Sequence, residues 1–130
     1  MSFLTKDQII SVEDLAHEDV EVPQWGGTVR VRAMTAIERD RFEQETYSGT
    51  SKENYDNMRA RLVVKCLIDE QGNRLFKDED AETLGKKHGA IVDKLFWIAR
   101  RLSAVTDKQI DNLIKNSEPS PSAAGSGESA

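Results

Sequence analysis

The chain has 130 residues, 38% of them hydrophobic and 32% charged, which suits one globular domain and is too short for two independent cores. Its 23 acidic and 18 basic residues give a formal net charge of -5, and their interleaving argues against phosphate binding as the main task and for protein partners over nucleic acid. The single cysteine excludes an internal disulfide, no apolar run approaches the roughly 20 residues of a membrane span, and the opening residues carry no targeting pattern, so the chain reads as cytosolic.

Thr5 and Gln8 have capping-box spacing, which predicts a short helical turn carrying Ile9 and Ile10 toward the core. From Val20 the pattern alternates: Val20 and Val22, then Trp25-Gly26-Gly27, then Val29 and Val31, the signature of a β-hairpin. Pro23 lacks a donor and puts its arm at a sheet edge, while Gly26 and Gly27 are the residues able to take positive φ in the turn. Thr35-Ala36-Ile37-Glu38 is a second capping box, opening a helix whose Met34, Ile37, Arg41, Phe42 and Glu45 share a face, with a stop at residues 47–50.

A further helix after Ser51 is expected to line up Tyr55, Met58, Leu62 and Cys66, widened by Val63 and Leu67, with Arg59, Arg61 and Lys65 on the solvated side. Asp69 to Asn73 is a turn, and residues 66–76 form either a small hairpin or a tight loop. Asp78 caps a helix through Leu84, its neighbours Glu79, Asp80 and Glu82 favoured by the helix dipole, and Gly85 or Gly89 ends it. Residues 90–105 make the most apolar helix, with Ile91, Leu95, Ile98, Leu102 and Val105 in one stripe, Val92, Phe96 and Ala99 beside it, and Trp97 off it. Thr106 and Gln109 open a last helix with Ile110, Leu113 and Ile114 on one side, and the Ser/Pro/Gly/Ala-rich residues 117–130 read as a disordered tail. The fold class is α+β and mainly helical: an N-terminal β-hairpin packed with four to five helices in one domain, residues 1–116.

Catalytic and metal chemistry finds no support in these residues. His17 and His88 have no ligand-spaced partners, Cys66 reads as a buried core thiol, and the Asp69 loop has Arg74 where a calcium loop needs Gly. Neither glycine pair has the spacing of a nucleotide-binding loop, and no cofactor or metal is expected. The residues that one small core does not obviously absorb are Trp25, at the hairpin tip, and Trp97; packing against neighbouring elements is the commoner role for such residues, and a protein interface is the alternative.

In order along the chain, Phe3-Leu4-Thr5-Lys6-Asp7-Gln8-Ile9, Val20 to Arg32, the capped Thr35-Ala36-Ile37-Glu38-Arg39-Asp40, Arg61 to Phe76 and the helix to Leu102 resemble the tail assembly chaperones of long noncontractile-tailed bacteriophages. The resemblance spans residues 1–116 and contains no catalytic fingerprint. It implies a noncatalytic protein of the host bacterial cytoplasm that binds and solubilises the tape-measure protein, helps recruit tail tube protein, self-associates, and is absent from the mature virion. It also implies a short form of a frameshifted pair, and Ile114-Lys115-Asn116 can be encoded by a slippery run. The contact residues expected on this reading are Trp25, Phe96 and Trp97, with Arg100 and Arg101 as rim charges. The competing reading is a structural head-to-tail connector or tail completion protein.

Overall fold

The computed structural model describes residues 2–47 and 54–103. Helix α1 (Lys6–Ser11) precedes strands β1 (His17–Val22) and β2 (Gly27–Arg32); α2 (Ala36–Tyr47), α3 (Met58–Val63), β3 (Leu67–Ile68), α4 (Ala81–Leu84) and α5 (Gly89–Leu102) follow. The architecture is α+β, as the pattern predicts. Of the stop expected at residues 47–50, Tyr47 still belongs to α2 and residues 48–50 lie outside the described residues, as do the helix expected from Thr106 and the tail at 117–130.

The hairpin forms where the alternation puts it, with β1 antiparallel to β2 from His17 opposite Arg32 to Val22 opposite Gly27. Its turn is a single 3-10 turn, Pro23–Trp25, closed by Gly26 at φ 80°; Gly27 keeps negative φ, so one glycine rather than two supplies the left-handed conformation. β3 adds antiparallel to β2 in the order β1-β2-β3, which leaves the Pro23 arm at the edge. Residues 66–76 are the small hairpin: Ile68 bridges Arg74, and the Leu75 N–H donates to the Leu67 carbonyl at 3.0 Å. Asp69 closes its turn by accepting from the N–H groups of Gln71 and Asn73, each at 2.9 Å, while Gly72 takes φ 92°.

Because side chains alternate across a strand, Val20, Val22 and Val31 share the face that meets the helices. Against it pack Phe42 of α2, Ala60, Leu62 and Val63 of α3, Leu84 of α4, and Ile91, Val92, Leu95, Phe96 and Ala99 of α5. Of the expected α5 stripe, Ile91 and Leu95 are buried while Ile98 and Leu102 are only partly so, the buried face centring on Val92, Phe96 and Ala99 beside them; the helix ends at Leu102, and Val105 lies outside the described residues. Helix α3 packs chiefly on α5, which also meets β1 and β2. On the opposite face of the sheet Arg30 donates bidentately to Asp19, at 2.7 and 3.0 Å.

Five local expectations do not hold in the tertiary structure. The Thr5–Gln8 capping box forms, but α1 buries nothing, and Ile9 and Ile10 face solvent. The Thr35–Glu38 box also forms, yet α2 is rotated so that Glu38, Phe42 and Thr46 are buried and Ile37 is exposed. The rotation follows from Arg32, whose guanidinium clamps Glu38 at 2.7 and 3.0 Å and pulls the first turn inward. Helix α3 ends at Val63, so Cys66 is no helical stripe residue but part of the lead into β3. Its thiol is buried as expected, and that burial pushes its pKa up to about 12. Lys65 is not solvated at all: at 0% exposure its ammonium meets both Glu45 carboxylate oxygens, at 3.0 and 3.2 Å, and the Arg61 carbonyl at 3.0 Å. Asp78 is no simple cap either, since Arg74 donates to it at 2.8 Å and Lys65 stands 3.6 Å away. The cap of that turn is instead the Asp80 carboxylate on the Lys77 N–H, at 2.8 Å.

Two measurements test this core. Leu95→Ala removes a fully buried side chain at the centre of α5 and is expected to lower the urea-unfolding free energy by about 2–5 kcal/mol. Glu38→Gln is expected to cost about 3 kcal/mol by leaving buried Arg32 without its counter-charge. Burial works to raise the Glu38 pKa, but the Arg32 guanidinium, the Thr35 N–H and the Arg74 charge outweigh it and hold the carboxyl below its ordinary 4.5. A depressed folded pKa contributes stability above the unfolded value and loses it as pH falls through the folded one. The urea midpoint of the wild type should therefore decline as pH drops below 4.5, and that of Glu38→Gln should decline less steeply.

Candidate surface around Trp97

Helix α5 is capped by His88, whose Nδ1 accepts the Ala90 N–H at 3.2 Å, and runs fourteen residues from Gly89 to Leu102. With one face committed to the core, the 3.6-residue period turns Trp97 outward, and it remains 40% exposed. The indole does not hang free. Its Nε1–H donates to Asp93 one turn earlier at 3.1 Å, and the Arg100 guanidinium lies 3.7 Å from its ring centre. Asp93 is itself held from α3, since Arg59 approaches the same carboxylate oxygen at 2.6 Å. Arg59 also lies 5.7 Å over the Phe96 ring, which meets Trp97 edge-to-face with centroids 5.4 Å apart.

The structure thus brings Phe96, Trp97 and Arg100 together, though not as three exposed contacts. Phe96 is 2% exposed and Arg100 is buried, so these two brace the indole from beneath and beside it. Arg101 does present an exposed charge, and its Nη2 pairs with Glu18 of β1 at 2.8 Å. Trp25 sits elsewhere, half-buried on the hairpin turn and packed against the core. The Arg59–Asp93–Trp97 chain escaped sequence reasoning; the Asp93 to Trp97 spacing of four was a signal, whereas the reach of Arg59 from another helix had none.

Beside this cluster, an open groove of about 490 Å³ runs between the starts of α3 and α5, lined among others by Tyr55, Met58, Arg59, Ala90 and Asp93. Its far wall depends on Asn57, which takes φ 55° at the start of α3 and donates Nδ2–H to the Ala81 carbonyl at 2.8 Å. Gly85 leaves room for that amide, since a Cβ there would collide with it. Among the described residues, no group of three or more His, Cys, Asp or Glu is arranged to hold a metal ion, and no helix is long and apolar enough to cross a membrane. The Cys66 thiol, its pKa raised by burial, is poorly disposed to act as a nucleophile.

No curated protein sequence matches the chain significantly. Among solved structures, the tail assembly chaperone of bacteriophage HK97 superposes with a TM-score of 0.55 at 22% identity, over 74% of this chain and 94% of that one, a likeness of fold. The family model described as phage tail assembly chaperone matches residues 9–115, well over half of the sequence. The hairpin, the capped α2 and the apolar α5 all fall within that span, and the chain belongs to the phage tail assembly chaperone family.

Proposed function

We propose that the chain is a noncatalytic chaperone that binds the tape-measure protein of its phage, keeps it soluble, helps bring tail tube subunits to it, and leaves before the virion is complete. It acts in the cytoplasm of the infected bacterium. The observation that carries this reading is the family match over residues 9–115. The surface chemistry supports it. A long helical client presents apolar stripes, and a chaperone for such a client needs an apolar contact with charged surroundings rather than a reaction centre.

Trp97 suits that contact. Its ring is already ordered by Asp93, Phe96 and Arg100, so little side-chain freedom remains to be lost when a client helix lies against it. Arg101 stands one position further along α5 and supplies an exposed cation at the rim. Phe96 and Arg100 contribute through Trp97, and Trp25 offers a second, smaller apolar contact on the hairpin turn. Each contact is small, so useful affinity comes from several copies acting along one client, which favours self-association.

Co-expression with the phage's tape-measure protein is expected to move that protein into the soluble fraction bound to this chain. Trp97→Ala should reduce the co-purified client at least fivefold while costing the free chain only about 1 kcal/mol, read by urea unfolding. Persistence of the chain in purified virions, seen by mass spectrometry, would favour a connector or completion protein instead. Full client recovery with Trp97→Ala would move the contact away from α5.

A further inference from the structure

The N-terminal arm is an apolar surface with nothing from the described domain lying over it. Phe3, Leu4, Ile9, Ile10 and Val12 are all exposed, Phe3 at 93% and Ile10 at 74%, and α1 buries none of its residues. At these exposures the five side chains offer on the order of 500 Å² of apolar surface, most of the about 800 Å² that each side of a stable protein interface buries. Helix α1 has only six residues, whereas an isolated helix is marginal in water even at about 12–15. The Thr5–Gln8 capping box satisfies its first turn but gives its apolar side nothing to rest on.

A surface that matches the arm lies at the other end of α5. The open groove of about 490 Å³ at the starts of α3 and α5 presents Tyr55, Met58 and Ala90, and no arm residue lines it. Its charged lining is Arg59, Lys87 and a single acid, Asp93, whose carboxylate is already engaged by Arg59 and by the Trp97 Nε1–H. Lys86 and Lys94 stand exposed beside it, with one exposed acid, Asp56, at its edge. Among the described residues, none of these three lysines is held in an ion pair. The arm has the opposite sign: between Ser2 and Ala16, Lys6 is outnumbered by exposed Asp7, Glu13 and Asp14. An acidic apolar arm and a basic apolar groove are complementary both in surface and in charge.

Their placement fixes the kind of contact. The arm is rooted beside the C-terminal end of α5, where the Ala16 carbonyl accepts the Ala33 N–H at 2.9 Å and the next residue, Met34, donates its N–H to the hydroxyl of Ser103 at 3.0 Å. The groove opens at Gly89, about 21 Å away along the fourteen residues of the helix. An arm at one end and its acceptor at the other describe a head-to-tail contact, in which each copy gives its arm to one neighbour and receives an arm from another.

We propose that the N-terminal arm of one copy docks, through Leu4, Ile9 and Ile10, into the α3–α5 groove of a second copy. The inference rests on the self-association in the function proposed above and names the surfaces that join the copies. Trp97 does not line the groove, so its outer face stays free for a client, and copies joined in this way present it repeatedly.

Sedimentation velocity of the chain alone tests the contact without any client, so its failure leaves the tape-measure reading to the co-expression experiment. The wild type should sediment faster as concentration rises. Ile9→Asp with Ile10→Asp, which alters exposed residues only, should stay monomeric with an unchanged urea midpoint. Ala90→Glu crowds the groove and opposes its charge, in the first turn of α5 where the helix dipole favours an acid, and should stay monomeric too. The double-Asp variant keeps an intact groove and Ala90→Glu keeps an intact arm, so mixing them should give a one-to-one dimer and nothing larger, at least tenfold tighter than either variant with itself. A mixture that remains monomeric overturns the proposal. So does a wild type that is monomeric at every concentration, which would leave the arm covered within its own chain or bare. Association of the double-Asp variant equal to that of the wild type overturns it as well, by placing the contact between copies elsewhere.

Discussion

A lysine ammonium buried to 0% exposure constrains the fold more tightly than any single apolar contact, because an unpaired charge at that depth is not tolerated. Lys65 follows α3 directly, so the helices and turns around it have to deliver acceptors to that point. Glu45 arrives from the last turns of α2, the Arg61 carbonyl from α3, and Asp78 from the turn before α4. Asp78 in turn engages Arg74 of the β3 loop, and Arg74 stands 3.7 Å from Glu38, which clamps Arg32 at the end of β2. One continuous ionic chain thus links the sheet, α2, α3 and the approach to α4. Its net contribution to stability is small, since desolvation offsets most of the attraction, but severing any member leaves a buried charge uncompensated. Wrong packings of the same elements carry that penalty, which is how a polar network adds specificity to an apolar core.

Helix α5 divides its two faces between core and solvent. Its inner face fills the core with Leu95, Phe96 and Ala99, while Trp97, one residue from Phe96, is carried outward with its rotamer set by contacts on two sides. The cross-helix tie from Arg59 to Asp93 couples that surface to α3. A rigid aromatic anchored on a helix gives up less entropy on association than a loop residue would. The N-terminal arm has the opposite character: its large apolar side chains are exposed and α1 buries none of its residues.

Membership of the phage tail assembly chaperone family rests on a match over residues 9–115. The fold shared with the HK97 protein at 22% identity is the kind of likeness that conserved patterning, rather than conserved side chains, sustains. Cores of this kind tolerate many apolar residue choices as long as volume and patterning are kept.

Sequence alone determined the elements whose signals are local. The capping boxes at Thr5 and Thr35, the Val20 to Val31 alternation around Gly26 and the apolar stripe of α5 each rest on residues within a turn or two of one another, and each forms as its spacing predicts. Tertiary structure decided which way those elements face and what their charges do. Nothing near Ile37 in sequence announces that Arg32 will draw Glu38 inward and leave Ile37 outside, or that Lys65 will be buried instead of Cys66 closing a helical stripe. The α5 period already separates Phe96 from Trp97, but only the tertiary packing brings Arg59 of α3 to Asp93 and over the Phe96 ring. Local propensity acts over a few residues, whereas burial and charge pairing are settled by partners brought from far along the chain.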